Sequence, residues 1–220
     1  MKRIIYLSII ICIFILIILT IYKVDASIIS FPLAGKTIYL DAGHVGPDNG
    51  ASSGKVFEKD INLEIVYKLE KELKKNGAKV LLTRTDENDL SKQNSKYRKK
   101  SDFDNRIKLM NNSNADMYIS IHQNYFYNNM YYGPQVFYVK NNEELATTIQ
   151  KDLNKLSNTN RKAKIIKNTY MYDKLIKPGA LIECGFLSNQ KEKNKLTSDT
   201  YQQELAKTIT ESIIKFYLEK

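Results

Sequence analysis

From Ile4 to Tyr22 the chain runs 19 residues without a charged side chain, and this stretch decides where everything after it folds. As a helix rising about 1.5 Å per residue it reaches about 28 Å, close to the ~30 Å hydrocarbon core of a bilayer. It is apolar on every face and lacks a 3.6-residue period, which argues against a helix laid on a domain core. Lys2 and Arg3 precede it. Basic flanks stay cytoplasmic, so the remainder is expected to be exported. A cleavable signal usually has a shorter apolar stretch, about 7–15 residues. A small-residue site, Val24-Asp25-Ala26, does follow. The expectation is therefore an anchor over residues 1–23, with secretion the alternative if that site is cut, then a linker over 24–35 and one domain over 36–220.

Such a domain, about 190 residues, is long enough to bury a real core. Net charge is +10, and Lys2, Arg3 and Lys23 carry three of those charges, leaving about +7 outside the membrane. That balance suits an anionic wall or membrane surface, or simply keeps a surface solvated. No nucleic-acid motif is present. Cys12 lies inside the apolar segment and Cys184 in the domain, so the fold is not held by a disulfide. The residues before Cys12 are Ile9-Ile10-Ile11, unlike a lipid-attachment site.

Apolar runs then alternate with helical patterns. Strands are expected at 36–40, 79–83, 117–122, 135–140, 165–167 and 180–184, and helices at 58–76, 143–156 and 201–217. Residues 90–112 are polar and basic, with helical spacing at Ile107, Leu109 and Met110. This alternation implies an α/β fold, a mixed, largely parallel sheet flanked by helices on both faces.

The chain has only two histidines, and both close a strand: Ile38-Tyr39-Leu40-Asp41-Ala42-Gly43-His44 and Met117-Tyr118-Ile119-Ser120-Ile121-His122. Strand ends of α/β sheets are where such folds keep their sites, and imidazole is the commonest protein ligand for a catalytic metal. Catalytic zinc often takes two histidines and a carboxylate, leaving a position open to water. Glu58 is the best third donor. It starts a helix 14 residues after His44, across a loop carrying Gly43, Gly46, Gly50 and Gly54. Taken alone, Glu58 reads as a first-turn acid favoured by the helix dipole. Glu183 lies inside an apolar strand, where an unpartnered carboxylate is costly and its pKa rises. It reads as a general base, or else as half of an ion pair. Cys184, next in the strand, should face the opposite side as a small core residue.

The motifs Asp41-Ala42-Gly43-His44, Glu58-Lys59-Asp60-Ile61-Asn62-Leu63, Ser120-Ile121-His122-Gln123-Asn124 and Ile182-Glu183-Cys184-Gly185-Phe186-Leu187-Ser188-Asn189 resemble those of the zinc-dependent N-acetylmuramoyl-L-alanine amidases. Thr83-Arg84-Thr85-Asp86, Asn105-Arg106 and Asn114-Ala115-Asp116 match as well, in the same order. The resemblance spans about residues 36–217. It implies Zn2+ on His44, Glu58 and His122, with Glu183 as the catalytic glutamate. Asp41, Asp60 and Asp116 are left either orienting ligands or capping turns, and Asn124 either touching peptide or closing a strand end. Gly133-Pro134 departs from the Gly-Ser or Gly-Thr common in relatives. Between Asn124 and Gly133 there is no room for the inhibitory helix that some relatives carry, and Tyr125, Tyr127, Tyr131 and Tyr132 there either border a glycan groove or pack.

The resemblance implies hydrolysis of the amide between N-acetylmuramic acid and L-alanine in peptidoglycan. The Glu-Cys-Gly-Phe-Leu-Ser-Asn run and the single anchor resemble the sporulation and germination branch, which helps make cortex muramic δ-lactam. Location would then be extracytoplasmic, between the forespore membranes, with an exported lipoprotein as a possible activator. The alternatives are a zinc peptidase cutting within the stem peptide, or a membrane-tethered peptidoglycan-binding module without catalysis.

Overall fold

The computed structural model describes residues 2–139 and 142–219. Helix α1 (Lys2–Ser30) includes one stretch, Ile5–Tyr22, long and apolar enough to cross a membrane, and none of it is buried against the rest of the chain. It runs on into the segment expected as linker. Leu33 is fully buried in the domain, and its N–H donates to the Asn76 carbonyl (2.9 Å).

The domain contains β1 (Thr37–Ala42), a small hairpin of β2 (Ser52–Ser53) and β3 (Val56–Phe57), and α2 (Glu58–Lys75). After these come β4 (Lys79–Leu82), α3 (Arg98–Asn112), β5 (Met117–Asn124), β6 (Gln135–Tyr138), α4 (Glu143–Ser157) and β7 (Lys164–Ile165). A single 3-10 turn, Tyr172–Lys174, leads to β8 (Gly179–Phe186), α5 (Gln190–Leu196) and α6 (Asp199–Leu218). Strand order in the main sheet is β4-β1-β5-β8-β6-β7. Within that sheet, among the described residues, only the β6–β8 pair is antiparallel. The expected mixed, largely parallel sheet is therefore present. The hairpin β2–β3 and helix α5 carry no long apolar period and were not expected. The strand expected over 135–140 ends at Tyr138, and Lys140 lies outside the described residues.

Side chains alternate between two faces along each strand. Ile38, Leu40, Ile119, Ile121, Ile182 and Cys184 join one core with α2, α4 and α6. On α2 the buried stripe is Ile61, Ile65, Val66, Leu69 and Leu73, at helical spacing. Burying each such side chain fully stabilises by about 1.5–3 kcal/mol. Cys184 is fully buried in this core, as expected. The other face carries Tyr39, Tyr118 and Leu181, packed with Met110 of α3 and with Met171, Tyr172 and Leu175. By the same alternation Asp41, Ser120, His122 and Glu183 fall on this second face. Two pairs of them stand directly opposite each other in the sheet, Asp41 with Ser120 and His122 with Glu183. A polar stripe therefore crosses three adjacent central strands at their C-terminal ends.

Candidate metal centre

His44 follows β1 and adopts a left-handed backbone (φ 60°), a region that histidine enters more readily than most residues. This turn brings its ring back over the sheet. Its Nε2 lies 3.4 Å from Glu58 Oε1, and its Nδ1 lies 3.0 Å from Asp48 Oδ2. His122 ends the regular part of β5, with Nδ1 2.9 Å from the same Glu58 oxygen. One donor atom from each of His44, Glu58 and His122 can be chosen so that all three lie within 4.8 Å of one another. The three residues proposed from sequence thus come together. Glycine makes room for them twice: a Cβ on Gly43 would overlap the His122 ring, and one on Gly50 (φ 65°) would overlap Glu58 Oε2 and the His44 ring.

Glu58 is more than a dipole-favoured acid. It is buried, its Oε2 accepts from the Ala51 N–H (2.7 Å), and its Oε1 accepts from the Gln123 N–H (3.0 Å). Burial would raise its carboxyl, but hydrogen bonds to His122 and His44 outweigh that and hold it well below the usual range. His44 is pushed up to about 9: burial opposes its charge, and Asp48 and Glu58 overcome the opposition. In effect two imidazoles crowd one carboxylate oxygen, as donors converging on a cation do.

Glu183 is half-buried as a residue, yet its Oε2 is sealed from solvent without a hydrogen-bond partner. No lysine or arginine pairs with it among the ion pairs of the described residues. Burial pushes its carboxyl up to about 7, with the Glu58 charge adding and the histidines opposing. A buried unpaired carboxyl beside two imidazoles suits a proton acceptor better than a structural ion pair.

Further motifs hold this cluster. Arg84 donates to the carbonyls of Ala42 (3.1 Å) and Lys59 (2.7 Å), tying the His44 turn to α2. Asn62 donates to the Gly43 carbonyl (2.9 Å) and accepts from Gln123 Nε2 (3.1 Å). Arg106 pairs with Asp41 and Asp102, both at 2.7 Å. Of the three aspartates left open, Asp41 lies on the same sheet face as His122 and accepts from Ser120 and Thr83 (2.6 and 2.8 Å). Asp116 instead accepts from the Thr37 N–H (2.7 Å) at the far end of β1, and Asp60 pairs with Lys59 (3.3 Å). Asn124 is half-buried, one irregularity beyond His122 in β5. Asp48 and Tyr172, which touch the two imidazoles, were not found from sequence; Asp48 sits in a loop and Tyr172 opens a single 3-10 turn, neither with a periodic pattern.

Residues 125–132 form a loop without a helix, as their number implied. Phe126 N–H donates to Ser188 Oγ (3.1 Å) and Asn189 Nδ2 to the Asn129 carbonyl (2.8 Å), so the tail of the Glu183 motif holds this loop. Its tyrosines are exposed, though Tyr131 lies against Phe126 and Phe186. The Gly133 N–H donates to Glu192 (2.7 Å), and Pro134 stands just before β6, where its missing donor disrupts no strand pairing.

Two imidazoles and a carboxylate converging at parallel strand ends are a donor set fit for a metal ion, and an unpaired carboxyl lies beside them. A model of the N-acetylmuramoyl-L-alanine amidase family matches residues 38–215, and the chain belongs to that family. It is 44% identical over 198 residues to the germination-specific N-acetylmuramoyl-L-alanine amidase of Bacillus subtilis, covering 87% of this chain and 84% of that one. The structure of the CwlD amidase from Clostridioides difficile, solved in complex with the GerS lipoprotein, superposes with a TM-score of 0.81. That match is at 40% identity and covers 84% of this chain and 100% of the other. An N-acetylmuramoyl-L-alanine amidase from Clostridium difficile 630 matches with a TM-score of 0.74 at 32% identity, covering 86% and 98%.

Proposed function

We propose that this protein is a zinc amidase that cuts the bond between the lactyl group of N-acetylmuramic acid and L-alanine, with His44, Glu58 and His122 as metal ligands. The supporting observation is the convergence of His44 Nε2 and His122 Nδ1 on one Glu58 oxygen, at 3.4 and 2.9 Å. Zinc at such a site supplies Lewis acidity, which makes water a nucleophile near neutral pH. Glu183 takes the proton of the attacking water and then delivers it to the alanine nitrogen as the C–N bond breaks. Its buried Oε2, without another partner, is free for that work. Asn124, at the same strand end, contacts the stem peptide.

The biological role we infer is spore cortex maturation, where removal of the peptide precedes muramic δ-lactam formation. Similarity to a germination-specific amidase supports it. Helix α1 anchors the domain on the outer side of a membrane, and the basic flank of Lys2 and Arg3 supports that orientation. A lipoprotein partner assists it, in keeping with the complex formed by the C. difficile relative.

The deciding experiment is muropeptide analysis by mass spectrometry after digestion with purified protein, with a chelator and with zinc restored. Glycan bearing bare lactyl groups, formed only with zinc, is the expected result. Cuts within the stem peptide would replace this reading with that of a peptidase, and no zinc-dependent cleavage at all, with the lipoprotein present, would remove it.

A further inference from the structure

Beyond the donor cluster, a chain of hydrogen bonds leads away from His122. Its Nε2 lies 3.1 Å from the Tyr172 hydroxyl, which lies 3.0 Å from Ser120 Oγ. Ser120 Oγ donates to Asp41 Oδ2 at 2.6 Å. Asp41 is fully buried and also receives Arg106 (2.7 Å) and Thr83 (2.8 Å). Tyr172 arrives from the turn before β8, a segment that no sequence motif marks.

The direction of every bond in this chain follows from its end. Asp41 only accepts, so the Ser120 hydrogen is committed to it. The Tyr172 hydrogen is then committed to Ser120 Oγ, which leaves the Tyr172 oxygen as an acceptor facing His122. Only a protonated Nε2 satisfies that acceptor, and a neutral imidazole protonated at Nε2 presents its lone pair at Nδ1. That atom is the one 2.9 Å from Glu58, where a bound cation would take the place of the hydrogen in the metal-free contact. On the other side of the site the order is reversed: His44 turns Nδ1 to Asp48 and Nε2 to Glu58.

We propose that Tyr172 is a positioning residue which, through Ser120 and Asp41, fixes His122 as an Nδ1 metal ligand, so that the site binds its metal through two opposite histidine tautomers. The relay carries the influence of a buried carboxylate to the ligand through two hydroxyls, where metal sites more often use direct contact. It rests on the reading of His44, Glu58 and His122 as the metal site.

Because the chain has only two histidines, imidazole 15N spectra of the full-length protein in detergent resolve both ligands. With zinc bound, one ring is expected to be metallated at Nδ1 and the other at Nε2. In Tyr172→Phe the protein stays folded, zinc affinity against a chromophoric chelator falls by about 10- to 100-fold, and the Nε2 proton exchanges faster with water. Ser120→Ala, one link further out, weakens zinc less than Tyr172→Phe does. Two Nε2-metallated rings in the unaltered protein would overturn the relay, as would Tyr172→Phe with zinc affinity and proton exchange unchanged. A full-length protein that binds no zinc would instead remove the metal reading on which the relay stands. If Tyr172→Phe fails to fold, the tautomers of the unaltered protein and the Ser120→Ala affinity still decide.

Discussion

His122 and Glu183 stand opposite each other on two neighbouring parallel strands, β5 and β8, both on the sheet face away from α2. One carries a ring nitrogen in the donor cluster, and the other an unpartnered buried oxygen. In the proposed function this pairing separates metal binding from proton transfer. Glu183→Gln keeps the shape and removes the base. It is expected to lower kcat by about 10^2- to 10^4-fold while zinc content, measured on the purified protein, stays at the wild-type level. A base works only when ionised, so wild-type kcat falls as pH drops through the Glu183 pKa. Burial places that near 7 without metal; a cation at the neighbouring donors moves the limb to lower pH. An unaltered rate for Glu183→Gln would exclude Glu183 as the base.

His44→Ala and His122→Ala should each lose metal, since either change leaves two donors of three. The expected readout is zinc stoichiometry after dialysis, near one for the wild type and near zero for both variants, with folded far-UV spectra throughout. In His44→Ala the fold is under no threat from the lost contact, because His44 lies in a loop, half-buried. Stoichiometric zinc in either variant would show that the ligand set is wrong.

The strands and the main helices were legible because periodicity records which faces are buried, as the α2 stripe from Ile61 to Leu73 shows. The site was legible where it lay at strand ends: His44, His122 and Glu183 each close or interrupt an apolar run. Glu58 was readable only by weighing it with the histidines. Other features left no local signature. The left-handed backbone of His44 and the approach of Tyr172 depend on how distant segments cross, and no window of sequence encodes a crossing. The antiparallel placement of β6 beside β8 is of the same kind. Asp41 was ambiguous among three aspartates, because only register with Ser120 distinguishes it from Asp116.

Asp41 and Arg106 are almost wholly buried together. Burial would raise the Asp41 carboxyl, but the Arg106 charge and the hydrogen bonds from Ser120 and Thr83 hold it below the ordinary value of 3.8. A depressed carboxyl stabilises the fold above its unfolded pKa, and that contribution is lost as pH falls through the folded value. Arg106→Met strands Asp41 and is expected to cost about 3–5 kcal/mol near neutral pH. Without the arginine, the buried carboxyl rises above its unfolded value and takes up its proton more readily when folded. The gap between variant and wild type therefore narrows from about pH 7 to about pH 4. Urea denaturation at the two pH values measures it, and a constant gap would contradict the assignment.

Removing residues 1–30 should leave the domain folded with an unchanged Tm. The described side chains of α1 are exposed, and the first fully buried residue among those described is Leu33. The shortened chain is expected in the soluble fraction, with the full chain in the membrane fraction. A lowered Tm would mean that α1 packs on the domain.

Gly43 and His122 are in such close contact that any β-carbon at position 43 would overlap the imidazole. The Gly43 backbone cannot yield easily: its N–H donates to the Ile121 carbonyl (3.0 Å), and its carbonyl accepts from Asn62 (2.9 Å). In Gly43→Ala the ring must therefore move, away from Glu58 or away from Tyr172. Overpacking of this kind costs about 1–3 kcal/mol, and zinc affinity should fall with it. Removing the ring removes the clash, so Gly43→Ala is expected to cost little in a His122→Ala background. The two changes are then non-additive, with a coupling of about 1 kcal/mol or more. Urea denaturation of the metal-free wild type, both single variants and the double variant measures that coupling directly. Additive costs would show that Gly43 is needed for its own backbone and not for the place it leaves to His122.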